Sequence, residues 1–195
     1  MYVVEIRTLA GLAAQGLAPS SCARDPLTRG LDPGATVLSH VWSSGQDQVA
    51  IIKRKLQLQL RGARIFLDVD DLDEIDKLEE YVNAAQCFLV FLSKGYFFSK
   101  NCLRELDSAS ACGVMPVLVH EISVDHGGTS LETLRADCVS QKRDADSLFD
   151  GNKIVPWHRL ADFQHLSLQK IAEEMLFSHS FLLRRPLRRS YPERP

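Results

Sequence analysis

No apolar run in the chain approaches the roughly 18 residues that a membrane helix needs, so no membrane span is expected. Residues 1–18 are apolar in patches, but Glu5 and Arg7 fall where a secretory signal keeps its hydrophobic stretch unbroken, and the segment reads as a cytosolic lead-in. An excess of one charge is missing as well. With 23 Lys and Arg against 25 Asp and Glu, the formal net charge is -2. That gives no global field to gather nucleic acid, and no nucleic-acid partner is expected. Walker loop, GxGxxG, HExxH and GxSxG patterns are all absent, so none of the nucleotide, zinc-protease or serine-hydrolase sites those patterns build is signalled.

The cysteines are few and unpatterned. Cys22, Cys87, Cys102, Cys112 and Cys138 are odd in number and show no CxxC spacing. This is the usage of reduced thiols in a cytoplasmic compartment, not of a disulfide framework or zinc knuckle. His120, His126 and His158 lack metal-ligand spacing and read as loop or strand-end residues. The acidic run "DVDDLDEIDKLEE" puts Asp68, Asp70 and Glu79 on the first, third and twelfth positions of a calcium loop. Leu72 and Asp73 break it, standing where an oxygen ligand and a glycine are required. Asp70 and Asp71 would serve a phospho-receiver pocket only with acids after the first strand and a Lys closing the fifth; the chain has Ser39, His40 and "VPWH" there. No metal is expected.

What is present is ordinary globular composition, 45% hydrophobic and 25% charged, in a chain long enough for one sizeable core. Residues 1–34 are rich in Gly, Pro, Ser and Arg and are expected to form a flexible arm. "ATVLSH" (35–40) reads as a strand. Val49, Ile52, Leu56 and Leu60 then recur at helical spacing, with Ser44 and Asp47 placed like a capping box. "ARIFLD" (63–68) is the second strand, and Ile75, Leu78, Val82 and Ala85 form the stripe of a second helix. "CFLVFL" (87–92) is apolar at every position, as a strand covered on both faces must be.

A helix is expected from about Ser99 to Cys112, strands at "VMPVLV" (114–119) and "KIVPW" (153–157), and a last helix from about Asp162 to Phe181. Residues 120–152 read as loops around one or two short helices. After residue 181 the basic, proline-broken "RRPLRRSYPERP" is expected to be a disordered, solvated tail, with anionic surfaces as its other possible partner.

Strands alternating with helices imply right-handed crossovers between parallel strands. The fold class is α/β: a flavodoxin-like five-stranded parallel sheet, order 2-1-3-4-5, with helices on both faces. Ligands of such sheets bind beyond the carboxyl ends of the strands where the order reverses. That crevice falls between "SHVWSSG" (39–45) and "SKGYFFSKN" (93–101). The second loop carries Ser93, Tyr96, Ser99 and Asn101, more polar groups than a chain reversal needs, and Glu105 follows on the next helix.

Over residues 35–181 the chain resembles a TIR (Toll/interleukin-1 receptor/resistance protein) domain. "TVLSHVW" resembles the family's first box, and "FLDVDDLDEIDKLEEYV" its BB loop and second helix. "LSKGYFFSKNCLREL" resembles the plant-type pattern of Ser, Tyr and Ser followed by Cys-Leu-x-Glu-Leu. Asn101 stands where plant members usually have Trp, His40-Val41-Trp42 replaces a Phe-Arg-Gly turn, and the BB loop carries Asp73, Glu74 and Ile75 without the usual Gly.

The resemblance implies cleavage of the nicotinamide–ribose bond of NAD+, as substrate and with no cofactor, in cytoplasmic signal transduction or defence. It makes Glu105 the catalytic carboxylate. Ser39, His40, Trp42, Ser93, Tyr96, Ser99 and Asn101 are then the substrate-binding set, with Trp42 or Tyr96 stacking on a ring and Ser93 and Ser99 reaching phosphate or ribose oxygens. Blander roles stand beside these: a solvated Glu105, an N-capping Ser99, a Trp42 that closes the core and a merely buried Cys102. Other TIR domains, including copies of this one, are the implied protein partners. The alternative function is a non-enzymatic TIR module that signals by homotypic assembly through the BB loop.

Overall fold

A computed structural model of the chain describes residues 35–60, 62–67, 82 and 85–184. The expected N-terminal arm, the acidic run, nearly all of the BB-loop and second-helix segment, and the tail from residue 185 lie outside the described residues.

Five strands, β1 (Ala35–Ser39), β2 (Arg64–Leu67), β3 (Cys87–Leu92), β4 (Pro116–Glu121) and β5 (Ile154–Trp157), form one sheet in the order β2-β1-β3-β4-β5. Every pairing is parallel. This is the flavodoxin-like arrangement. The sequence explains which strands are central. All six residues of β3 are buried, and their side chains alternate between two cores, as the two-residue period of a strand requires. Cys87, Leu89 and Phe91 join one core; Phe88, Val90 and Leu92 join the other. Pro116 is tolerated because it opens β4, and Pro156 because β5 is an edge strand whose outer side needs no ladder donor.

Helix α1 (Trp42–Gln59) and helix α5 (Ala161–Arg184) cover the first core, through Val49, Ile52 and Leu56 from α1 and Leu168, Ile171 and Ala172 from α5. Helices α2 (Lys100–Ala111), α3 (Leu131–Ser140) and α4 (Ala145–Phe149) cover the second, which also takes in the buried Val82 and Ala85. Each large side chain fully withdrawn from water contributes about 1.5–3 kcal/mol, so the two cores hold the sheet between its helix layers. The last helix runs three residues past its expected end at Phe181. Among the described residues no helix is long and apolar enough to cross a membrane, and no group of His, Cys, Asp or Glu is placed to hold a metal ion.

One local expectation is overturned. Helix α1 does not begin with a Ser44–Asp47 capping box: it starts at Trp42, after Val41, with no side-chain cap. Ser44 is spent on a distant partner instead, its hydroxyl lying 2.9 Å from that of Ser93 and donating to the Lys94 carbonyl at 3.1 Å. Elsewhere the short polar residues do cap. Ser99 accepts from the Cys102 amide, Ser130 from Thr133 and Asp144 from Ser147, each satisfying an orphan donor of a first turn.

Candidate active site

The site is assembled from the carboxyl ends of β1 and β3 and the first turns of α2. Ser39 follows Val37 by two residues, so it shares that residue's face of the sheet and points toward α2. On α2 the sheet-facing stripe is Cys102, Glu105, Leu106 and Ala109, the i, i+3, i+4, i+7 set of an amphipathic helix. Glu105 is therefore a core position occupied by a carboxylate. It is only 3% exposed, and Ser39 (1%) and Tyr96 (0%) enclose the same space.

These three side chains form a relay. Ser39 Oγ donates to Glu105 Oε2, and Tyr96 Oη lies 2.8 Å from Ser39 Oγ. A serine has one proton to give, and it is committed to Glu105, so the Tyr96 hydroxyl is the donor of the second bond. Burial pushes the Tyr96 hydroxyl well above its usual pKa, with the nearby Cys102 and Glu105 adding to the rise. Tyr96 thus keeps its proton at neutral pH. Its ring packs edge-on against Phe97, with centroids 5.3 Å apart; with no exposed face, Tyr96 enters the site by its hydroxyl.

The turn that presents these groups depends on Gly95, whose φ of 86° lies in the left-handed region that favours glycine. It leads into a single 3-10 turn, Tyr96–Phe98, and then into Ser99 at the N-cap of α2. Ser93 is fully buried and hydrogen-bonds Ser44 across the switch point between β1 and β3. His40 is buried at the end of β1, and its carbonyl accepts from Cys102 Sγ at 3.1 Å, which ties β1 to α2 a second time.

The residues singled out from the sequence thus divide. Ser39, Tyr96 and Glu105 meet directly, Ser93 joins through Ser44, and His40 is drawn in through its backbone. Ser99 caps the helix that carries Glu105. Asn101, half-buried, is one helical turn before Glu105. Trp42 opens α1 at the rim, 51% exposed, and does not close the core.

Ser44 and the loop after β4 were missed as site components. Gly127 accepts from the Lys94 amide at 2.8 Å through its carbonyl, and a Cβ there would stand 2.9 Å from that of Ser44. The only sequence signal was the "HGGT" glycine pair, legible as a turn but not as a close approach.

A family model described as "TIR domain" matches residues 37–150, from within β1 to the end of α4 and across the whole candidate site. No curated protein matches the chain.

Proposed function

The chain belongs to the TIR-domain family, and from that premise we propose that it is an NAD+ hydrolase or cyclase with Glu105 as its catalytic carboxylate. Membership carries the family's general role in signalling and defence and its habit of binding other TIR domains. The enzymatic activity is supported by one observation above the others: a carboxylate occupies the core stripe of α2, under the carboxyl end of β1, where the switch point of the sheet puts a ligand. Burying a charge for support alone is a poor exchange, since a well-packed apolar side chain does the same work at less cost.

The chemistry suits a single carboxylate. When the bond between C1 of the ribose and the pyridinium nitrogen breaks, the electron pair leaves with nicotinamide, which departs neutral and unprotonated. The ribose becomes oxocarbenium-like. A fixed negative charge beside it stabilises that state more than the ground state, which is what accelerates a reaction. Water then adds to C1 and releases a proton, giving ADP-ribose; attack by an adenine nitrogen of the same molecule gives a cyclic product instead. A glycosidase with an alkoxide leaving group needs a second carboxyl as acid, and this reaction does not. Ser39 and Tyr96 fix the orientation of Glu105, and Ser93 and Ser99 supply hydroxyls toward ribose or phosphate.

The enclosure of Glu105 and Tyr96 supports a second reading, in which the relay is a strut and the chain is a non-enzymatic TIR interaction module. Incubation of concentrated protein with NAD+ separates the two. Nicotinamide release well above the spontaneous rate is expected, and its absence across all protein concentrations overturns the enzymatic function.

A further inference from the structure

The last residue of β4, Glu121, is fully buried opposite Trp157 of β5. Its Oε2 accepts from Arg159 Nε at 3.1 Å and Nη2 at 2.9 Å, and its Oε1 accepts from the Ser123 amide at 2.9 Å. Arg159 Nη2 also donates to the His126 carbonyl at 3.3 Å. One ion pair therefore holds both ends of the 3-10 turn Val124–His126. An ion pair whose carboxylate is fully buried while its Arg is about a quarter exposed is weak support for stability, because desolvation of the carboxylate offsets much of the attraction, and it is better understood as fixing one arrangement among several. What it fixes is next to the candidate site. The turn delivers Gly127, whose carbonyl takes the Lys94 amide and whose missing side chain admits Ser44. Gly128 is equally constrained, since a Cβ there would fall 2.5 Å from the Glu121 carbonyl oxygen.

We propose that the Glu121–Arg159 pair is a positioning device: it locks the turn after β4 so that Gly127 holds Ser44 and the Ser93–Lys94 corner in register for NAD+. The kinetic part of this rests on the NAD+-cleaving function proposed above. Arg159→Ala alone would strand a buried carboxylate at a large cost in stability, so the test is the double replacement Glu121→Leu with Arg159→Met, which removes both charges and keeps the bulk.

Native-state hydrogen exchange and steady-state kinetics are both read. The Lys94 amide is expected to exchange at least about tenfold faster while amides of β3 stay protected. KM for NAD+ is expected to rise roughly tenfold with kcat within about threefold of the parent, as loss of ground-state positioning requires. Arg159→Lys, which keeps the charge, should recover part of both. Unchanged Lys94 exchange overturns the lock. Faster exchange with parental KM overturns its role toward substrate. A parent that releases no nicotinamide overturns the enzymatic function and the kinetic half of the proposal, and Lys94 exchange still judges the lock by itself.

Discussion

Glu105 was recognisable as a residue and not as an environment. Its place in the Cys-Leu-x-Glu-Leu pattern marked it, yet a lone glutamate on a helix is by default a solvated charge, and only the fold shows it 3% exposed. The partner responsible is Ser39, 66 residues away, and no local pattern reports a contact at that separation. Tyr96 shows the same gap: its position was legible, its enclosed ring was not.

A prediction follows from its raised pKa. The folded chain keeps the Tyr96 proton where the unfolded chain, titrating near the ordinary value of 10.0, loses it. That contribution to stability is complete below pH 10 and is lost as pH climbs toward the folded-state value. Cys87, pushed by burial from 9.0 to about 12, acts with the same sign between those limits. Tyr96→Phe should therefore cost about 1 kcal/mol near neutrality, one buried hydrogen bond. Above pH 10 its deficit against the parent should shrink, with Cys87 common to both proteins. Denaturant titrations across pH 7 to 11 measure the difference; a deficit that stays constant or widens would refute the assignment.

Among the described residues, the elements read from period came out within about three residues of where the pattern put them, because burial on one or both faces dictates the period directly; nearly all of the expected second helix lies outside the described residues. "CFLVFL" could hardly be anything but a central strand. Starts of helices were less legible. Ser44 had the right spacing for a cap, but a tertiary hydrogen bond to Ser93 outcompeted the local one, whereas Ser99, with its hydroxyl beside the first turn of α2, kept the capping role. The turn before α2 offers a clean test. A Cβ on Gly95 would meet nothing within 4 Å, so Gly95→Ala isolates the cost of its positive φ. We expect a loss of roughly 1–2 kcal/mol and a fall in NAD+ cleavage, since the same turn sets Tyr96 and Ser99. Lys94→Ala, next to it, touches a residue whose main chain makes the contacts and should stay within about 0.5 kcal/mol of the parent. Equal effects in the two variants, by thermal melting, would show that the glycine conformation is not what shapes the turn.

For the whole molecule, alternating strands and helices gave the parallel α/β class, and the order expected as the commonest for five such strands is the one the sheet has. The order in turn located the crevice. The loop after β4 escaped, because its Glu121–Arg159 lock joins residues from two strand ends that meet only in the folded sheet. Assembly belongs to this scale too. Ser39, Tyr96 and Glu105 are enclosed in the single chain, so the proposed NAD+ cleavage would require the rim to open, and docking of a second TIR domain is the event we propose for it. Nicotinamide release per molecule should then rise with protein concentration, following the population of the assembled form; a flat profile over a wide dilution series would make the monomer sufficient.

The most direct measurement is nicotinamide release by Glu105→Gln beside the parent, at one high protein concentration and with melting curves for both. The amide keeps the size of the side chain and removes its charge. A variant that melts like the parent and cleaves NAD+ at least about a hundredfold more slowly is the expected result, as for loss of a principal electrostatic stabiliser. A folded variant that releases nicotinamide at the parental rate would contradict it.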